Sequence, residues 1–311
     1  MGIKASAPGK LILFGEHIVV YGEPAIATAI DKRAYATATP LEDRKIIVIS
    51  KNTNETIEAE LTSKTESPVV RAAQIALQKT GATKGVQVEI DSEIPIAAGL
   101  GSSASVSVAT AAAVLRLFSP DAEPSKLEIL EVAHEAEKIA HGNPSGIDAA
   151  VAVFGGTIFF RKGEVEGLGT KEMEFIVGNT GVPRNTKAVV EDVKKRVEDP
   201  RVSYNLFTIS SIVKKAREAL LRSAIGEIGI LMDRNQEFLR GLGVSSVEIE
   251  QLIKIAKDRG AAGAKLTGAG GGGCIIALAS KPEAIRKALS DAGFETFIVR
   301  TNQPGVRYEQ E

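Results

Sequence analysis

Cysteine is almost missing from this sequence: Cys274 is the single one in 311 residues, so no disulfide can form within the chain and no cysteine-based zinc site can be built. A basic excess is missing too, since 38 Lys and Arg stand against 39 Asp and Glu for a formal net charge of −1. With no surplus positive charge to release counterions, a nucleic-acid partner held by bulk electrostatics is excluded. The nearest approach to a charge run, Lys194 to Arg196, reads as a solvated helix face. No apolar run reaches the roughly 18–20 residues of a membrane span. The opening MGIKASAPGK lacks the apolar centre of a signal peptide. The expectation is a soluble, cytoplasmic chain with no membrane partner.

What remains is ordinary globular material, 44% hydrophobic and 25% charged, long enough for two domains at roughly 150 residues each. Short β-like runs dominate the first hundred residues, at 10–14, 24–30, 33–39, 45–50, 55–61 and 85–90, with period-two alternation clearest in ETIEAEL and GVQVEI. Residues 68–80 read as an amphipathic helix closed by Gly81. Residues 103–118 are Ala- and Val-rich on nearly every side, which predicts a buried helix. Ser125 and Glu128 form a capping-box pattern opening a helix to about Ala140, and VAVFGGTIFF at 151–160 reads as strand. A glycine- and charge-rich boundary at 162–171 separates a second half. There, strands are expected at 174–178, 274–279 and 294–300, and helices at 186–197, 204–222, 224–240, 245–259 and 282–291. The class is α+β, with domains at 1–168 and 169–311, and the last strand is free to return to the first domain.

The stretch 95–105, PIAAGLGSSAS, sets two glycines and two serines at the mouth of the buried helix. Unpaired N–H groups and the positive dipole end at a helix start attract anions, and glycine lets the main chain wrap a phosphate closely. No Lys follows Gly101, so this is no Walker A loop; Ala104 stands where a dinucleotide fingerprint needs its third glycine. Alone, the stretch fits a serine-capped helix equally well. Two further glycine-centred signatures stand at the far ends of the chain: PGKLILFGEHIVVYG at 8–22, and KLTGAGGGGC at 265–274, where five of seven residues from Gly268 to Cys274 are glycine. Each glycine costs about 0.5–1 kcal/mol relative to Ala, so such a run implies that the backbone must approach something closely.

In this order and spacing the three segments resemble the three motifs of the GHMP kinases, across residues 8 to 274. GEHIVVYG lacks the Asp of the galactokinase GEHTDY. With HGNPSGID at 141–148 and VPRNT at 182–186, the details are most similar to the branch of that family that acts on mevalonate. The resemblance implies an N-terminal domain with a left-handed βαβ unit, a C-terminal ferredoxin-like domain and a site between them. It implies ATP and mevalonate as substrates, Mg²⁺ as cofactor, and leaves room for a homodimer. Residue by residue, it makes Asp148 the acceptor of the hydroxyl proton and Lys10 the cation beside hydroxyl and phosphate. Pro95, Ile96, Ala97, Ala98, Gly99, Leu100, Gly101, Ser102, Ser103, Ala104 and Ser105 become the ATP loop, with Ser102 and Glu137 as metal ligands. Glu16, His17, Arg184, Thr186, Ala269 and Gly270 join Lys10 and Asp148 around the substrate.

A zinc reading of His134 and His141 fails, because Lys138 stands where HExxH needs its second histidine; His141 is expected to shape the HGNPSG turn. Two alternatives stay open: a kinase for phosphomevalonate, homoserine or a sugar, and a non-catalytic ligand-binding relative. The presence of Lys10, Glu137 and Asp148 together weighs against the second.

Overall fold

The computed structural model describes residues 2–95, 98–141, 145–183 and 186–310, with the side chains of all these except Ala140 and His141. The first half runs β1 (Ile3–Phe14), β2 (Ala25–Leu41), β3 (Lys45–Ser50), β4 (Glu55–Glu60), α1 (Pro68–Thr80), β5 (Gly85–Ser92), α2 (Ser102–Phe118), α3 (Lys126–His141), α4 (Ile147–Phe154), β6 (Thr157–Arg161) and β7 (Glu164–Gly167). The second runs β8 (Glu174–Asn179), α5 (Thr186–Lys195), α6 (Pro200–Leu221), α7 (Ile225–Gly241), α8 (Val247–Asp258), β9 (Gly263–Thr267), β10 (Cys274–Leu278), α9 (Pro282–Asp291), β11 (Glu295–Arg300) and β12 (Arg307–Tyr308).

The larger sheet has the order β12-β1-β2-β5-β3-β4, with β6 on β2 and β7 on β6. Its spine is β2, which pairs with β1 along one edge and with β6, then β5, along the other. The sequence suggests two strands here, parted near Asp31 and Lys32. The strand continues because Asp31 accepts from the Arg300 backbone N–H at 3.0 Å and from its Nε at 3.1 Å, so the polar pair marks contact with β11 rather than a turn. β3 and β5 are parallel, which requires the crossover that β4 and α1 supply.

Alanines on the sheet (Ala5, Ala7, Ala36, Ala38) face a core that includes Ala109, Ala111, Ala112 and Ala113 of α2. Small side chains on both surfaces let that helix lie close to the sheet. Val108 and Val114 of α2 are fully buried, each contributing about 1.5–3 kcal/mol of hydrophobic stabilisation. A helix buried on all sides has a fixed N-terminus, and this is how the core positions the loop at 98–101. The capping box forms as expected: the Ser125 N–H and hydroxyl donate to Glu128 Oε2 at 2.8 and 2.7 Å, while the Glu128 N–H donates to Ser125 Oγ at 3.2 Å.

The smaller sheet is antiparallel with order β11-β8-β10-β9. Numbered by chain order this is 4-1-3-2 in a βαββαβ chain, the ferredoxin-like arrangement, with α5 to α8 filling the first crossover. The closing segment leaves this sheet for the larger one: Pro304 bridges to Gly155 and β12 pairs with β1.

One stretch departs from its sequence reading. VAVFGGTIFF at 151–160 is not a strand throughout; residues 147–154 are α4, and only Thr157 onward is extended. Six of the eight α4 residues are buried, and an apolar segment buried on all sides carries no period to separate helix from strand. Gly155 (φ 71°) and Gly156 (φ 69°) make the reversal into β6. β9 and β7 were also unforeseen, hidden in the segments read as a glycine motif and a boundary.

Candidate active site

The loop before α2 is shaped by two left-handed glycines, Gly99 and Gly101, both at φ 79°. Gly101 is the residue from which the helix starts, and a Cβ there would lie 2.8 Å from Lys10 Cγ. Two bonds lash the loop to β1: the Lys10 N–H donates to the Leu100 carbonyl at 2.8 Å, and Ser105 Oγ donates to the Pro8 carbonyl at 2.7 Å. Ala98, Leu100, Ala104 and Ser105 are buried beneath the loop, and Pro95 and Ser102 are half-buried. Ile96 and Ala97 lie outside the described residues.

The β1–β2 register slips between Pro8 and Lys10, and such an irregularity re-aims a side chain. Lys10 Nζ lies 3.2 Å from Asp148 Oδ1, the lysine side chain 5% exposed and the aspartate 40%. Asp148 stands in the first turn of α4, whose N-cap Gly146 (φ 86°) aims the helix's positive end at the same region. The meaning of the ion pair is orientation: an ammonium and a carboxylate share the mouth of an anion-attracting loop.

Glu137 projects from α3 and is 5% exposed, so it is no surface carboxylate. Ser103 Oγ donates to its Oε1 at 2.7 Å and Ser107 Oγ at 3.3 Å. The serine brought to Glu137 is thus Ser103 rather than Ser102. Among the described residues no group of three or more His, Cys, Asp or Glu could hold a metal. A buried carboxylate with a serine hydroxyl at a phosphate-type loop is a hard oxygen donor set of the kind Mg²⁺ uses when phosphate and water supply the rest. The residues fit that ion.

Glu16, two residues past β1, and Lys265 of β9 form an ion pair whose side chains have no exposed surface. Asn235 Nδ2 donates to Glu16 Oε2 at 3.3 Å, and Lys265 Nζ donates to the Leu266 carbonyl at 2.6 Å. Burial lowers the Lys265 ammonium from its ordinary range, opposed by the charge and hydrogen bond of Glu16. His17, at φ 64°, donates from Nε2 to the Ala269 carbonyl at 2.8 Å. The glycine-rich turn is wedged between two carbonyls. A Cβ on Gly270 would meet Val244 O at 2.2 Å, and one on Gly272 would meet Val182 O at 2.7 Å.

The structure thus gathers Lys10, Asp148 and the 98–105 loop, sets Glu137 beneath the loop's first helical turn, and joins Glu16 and His17 to Ala269. Thr186 is exposed at the start of α5. Arg184, the side chain of His141 and residues 142–144 of HGNPSGID lie outside the described residues. Lys265, Asn235 and Ser107 escape the sequence reading. Lys265 alone carried a signal, as the first residue of KLTGAGGGGC.

Residues 67–156 match the GHMP kinases N terminal domain, and residues 216–295 match the GHMP kinases C terminal domain. The mevalonate kinase of Thermococcus sibiricus is 39% identical over 331 aligned positions covering 99% of each chain. Among solved structures, the Methanococcus jannaschii mevalonate kinase superposes with a TM-score of 0.85 at 26% identity, covering 97% of this chain and 98% of its own. The L. major mevalonate kinase, solved in complex with R-mevalonate, superposes with a TM-score of 0.84 at 28% identity, covering 97% and 96%.

Proposed function

This chain belongs to the mevalonate kinase family of the GHMP kinases, and on that premise we propose that it transfers the terminal phosphoryl group of ATP to the primary hydroxyl of mevalonate. The observation that carries the reading is the Lys10–Asp148 pair, 3.2 Å apart at the mouth of a glycine-shaped loop that opens a buried helix.

Phosphoryl transfer asks the protein mainly for alignment and charge neutralisation. The N–H groups at the start of α2, freed by Gly99 and Gly101, bind phosphate oxygens. Asp148, the more exposed member of its pair, accepts the hydroxyl proton as the hydroxyl oxygen forms its bond to the terminal phosphorus and the bond to the ADP oxygen breaks. Lys10, 3.2 Å from Asp148, orients that carboxylate and stabilises negative charge on the acceptor oxygen. Ser103 and Glu137 would hold Mg²⁺; Ser103 is preferred to the Ser102 first expected because its hydroxyl is the one that donates to the Glu137 carboxylate. When bound, that ion offsets charge on the phosphate oxygens. His17 and the Ala269–Gly270 backbone border the acceptor side, while Glu16, with no exposed surface, acts through its neighbours. Arg184 and Thr186 are assigned to the substrate by motif alone.

The test is turnover of purified protein with ATP and Mg²⁺ on a panel of R-mevalonate, phosphomevalonate, homoserine and galactose. ADP release with R-mevalonate well above the others supports the reading. Turnover confined to another acceptor, or ATP binding with no turnover on any, refutes it.

A further inference from the structure

Three polar ties join residues 12–17 of the first half to residues 265–269 of the second. Thr267 Oγ1 donates to the Ile12 carbonyl and accepts from its N–H, both at 3.1 Å; Lys265 pairs with Glu16; and His17 donates to the Ala269 carbonyl. The middle tie is chemically expensive. Removing two charges from water costs more than their attraction often returns, and a well-packed apolar pair of similar volume serves stability as well or better. Asn235 adds to that cost, since it donates to Glu16 while its own buried Oδ1 has no hydrogen-bond partner among the described residues. The next residue after Glu16 is held in a left-handed conformation that non-glycine residues avoid, at His17 φ 64°. Strain of that kind persists where the surroundings over-determine the backbone, and it collects at functional sites.

Building on the function proposed above, we infer that Lys265 is a positioning residue for the acceptor side of the site: by neutralising Glu16 inside the interface it holds His17 and the Ala269 carbonyl in one fixed relation. Lys265 touches neither substrate. It acts through Glu16, whose carboxylate it anchors from β9 while Asn235 anchors it from α7. His17 leaves this anchored point in its strained turn and closes onto Ala269, two residues beyond Thr267. The first motif and the glycine-rich turn therefore move as one unit, and the acceptor meets a wall built before it arrives. The nucleotide loop is tied elsewhere, to Pro8 and Lys10, so disturbing Lys265 reaches the acceptor and spares ATP.

Initial rates of Lys265→Met, Glu16→Gln and the double variant, measured with each substrate varied in turn, test this. In Lys265→Met the KM for the acceptor is expected to rise about tenfold or more, with the KM for ATP within about twofold. Glu16→Gln should show the same split to a smaller degree, because a buried lysine can shed its proton. The double variant, with no unpaired charge, should return the acceptor KM to within about threefold of wild type. Parallel changes in both KM values, an unmoved acceptor KM, or a double variant no better than Lys265→Met overturns the inference. If Lys265→Met does not fold, Glu16→Gln and the double variant decide on the same split. Wild-type protein inactive on mevalonate would refute the function proposed above instead, and the KM comparison is then made with the acceptor it does use.

Discussion

Replacing Gly101 by Ala should damage catalysis far more than stability. Gly101 stands at φ 79°, and an L side chain in that region costs about 1–2 kcal/mol. The new Cβ would also lie 2.8 Å from Lys10 Cγ and 3.3 Å from its Cε, distances that real Cβ contacts avoid. The lysine stem is flexible and will yield, but yielding moves Nζ from its place 3.2 Å from Asp148. A displacement near 1 Å at a reacting group can cost ~10²-fold in rate. Gly81 supplies the control: it shares the left-handed conformation at φ 67° and caps α1, yet nothing lies within 4 Å of its would-be Cβ. Gly81→Ala should therefore show the backbone cost alone, a melting temperature lower by roughly 2–4 °C per kcal/mol, with kcat near wild type. Gly101→Ala should match that loss of stability and in addition lose about two orders of magnitude in kcat. Thermal unfolding and steady-state rates on both variants decide the matter. If Gly101→Ala keeps kcat within about threefold of Gly81→Ala, the loop glycine does not serve Lys10 and the reasoning fails.

Three further outcomes are expected. Asp148→Asn should lower kcat by about 10²–10⁴-fold while leaving ATP binding measured by calorimetry nearly intact, as befits a lost proton acceptor. Ser103→Ala should raise the Mg²⁺ concentration needed for half-maximal activity more than Ser102→Ala does, because the Ser103 hydroxyl is the one 2.7 Å from Glu137; equal effects would return the assignment to Ser102. Ser125→Ala should destabilise by about 0.5–2 kcal/mol through loss of the cap on α3. The Ser125 hydroxyl and N–H hold Glu128 below the ordinary carboxylate range, so the box stabilises the fold above that range and fades as acid protonates Glu128. Chemical denaturation at pH 7 and near pH 3 should accordingly show a smaller penalty for Ser125→Ala at the lower pH.

What could be read from the chain and what could not divide along physical lines. Gly99 and Gly101 were legible because glycine spacing ahead of an Ala/Val-rich segment states a loop and a buried helix together, whereas Lys10 and Asp148 were singled out only through the family resemblance. Local chemistry was legible for the same reason at Ser125 and Glu128, whose partners lie three residues apart. α4 was not, since six of the eight residues of Ile147–Phe154 are buried and its apolar sequence carries no period. The choice between Ser102 and Ser103 depends on where α3 sets Glu137 against α2, some 34 positions away in the chain. Lys265 and Asn235 were the hardest. Their partner Glu16 lies 249 and 219 positions distant, and although Lys265 opens the glycine-rich motif, nothing local shows that its ammonium, or the Asn235 amide, is buried rather than solvated.

The anchoring of residues 304–309 has a consequence for how the chain is made. Arg33, its guanidinium lowered to about 10 chiefly by burial, donates to the Pro304 carbonyl at 2.9 Å and the Gly305 carbonyl at 2.8 Å. Ser6 and Glu309, 303 positions apart, are hydrogen-bonded across the same seam. At ribosomal rates of about 5–20 residues per second, β1 waits on the order of 15–60 s for its outer neighbour. Throughout that interval Ala5 and Ser6 of β1 lack the strand that pairs with them, and Arg33 has no carbonyls from the closing segment to satisfy it. An unpaired edge is a template for pairing with another chain. The first half of this protein therefore matures last, and its hazard in the cell is greatest while the second half is still being synthesised.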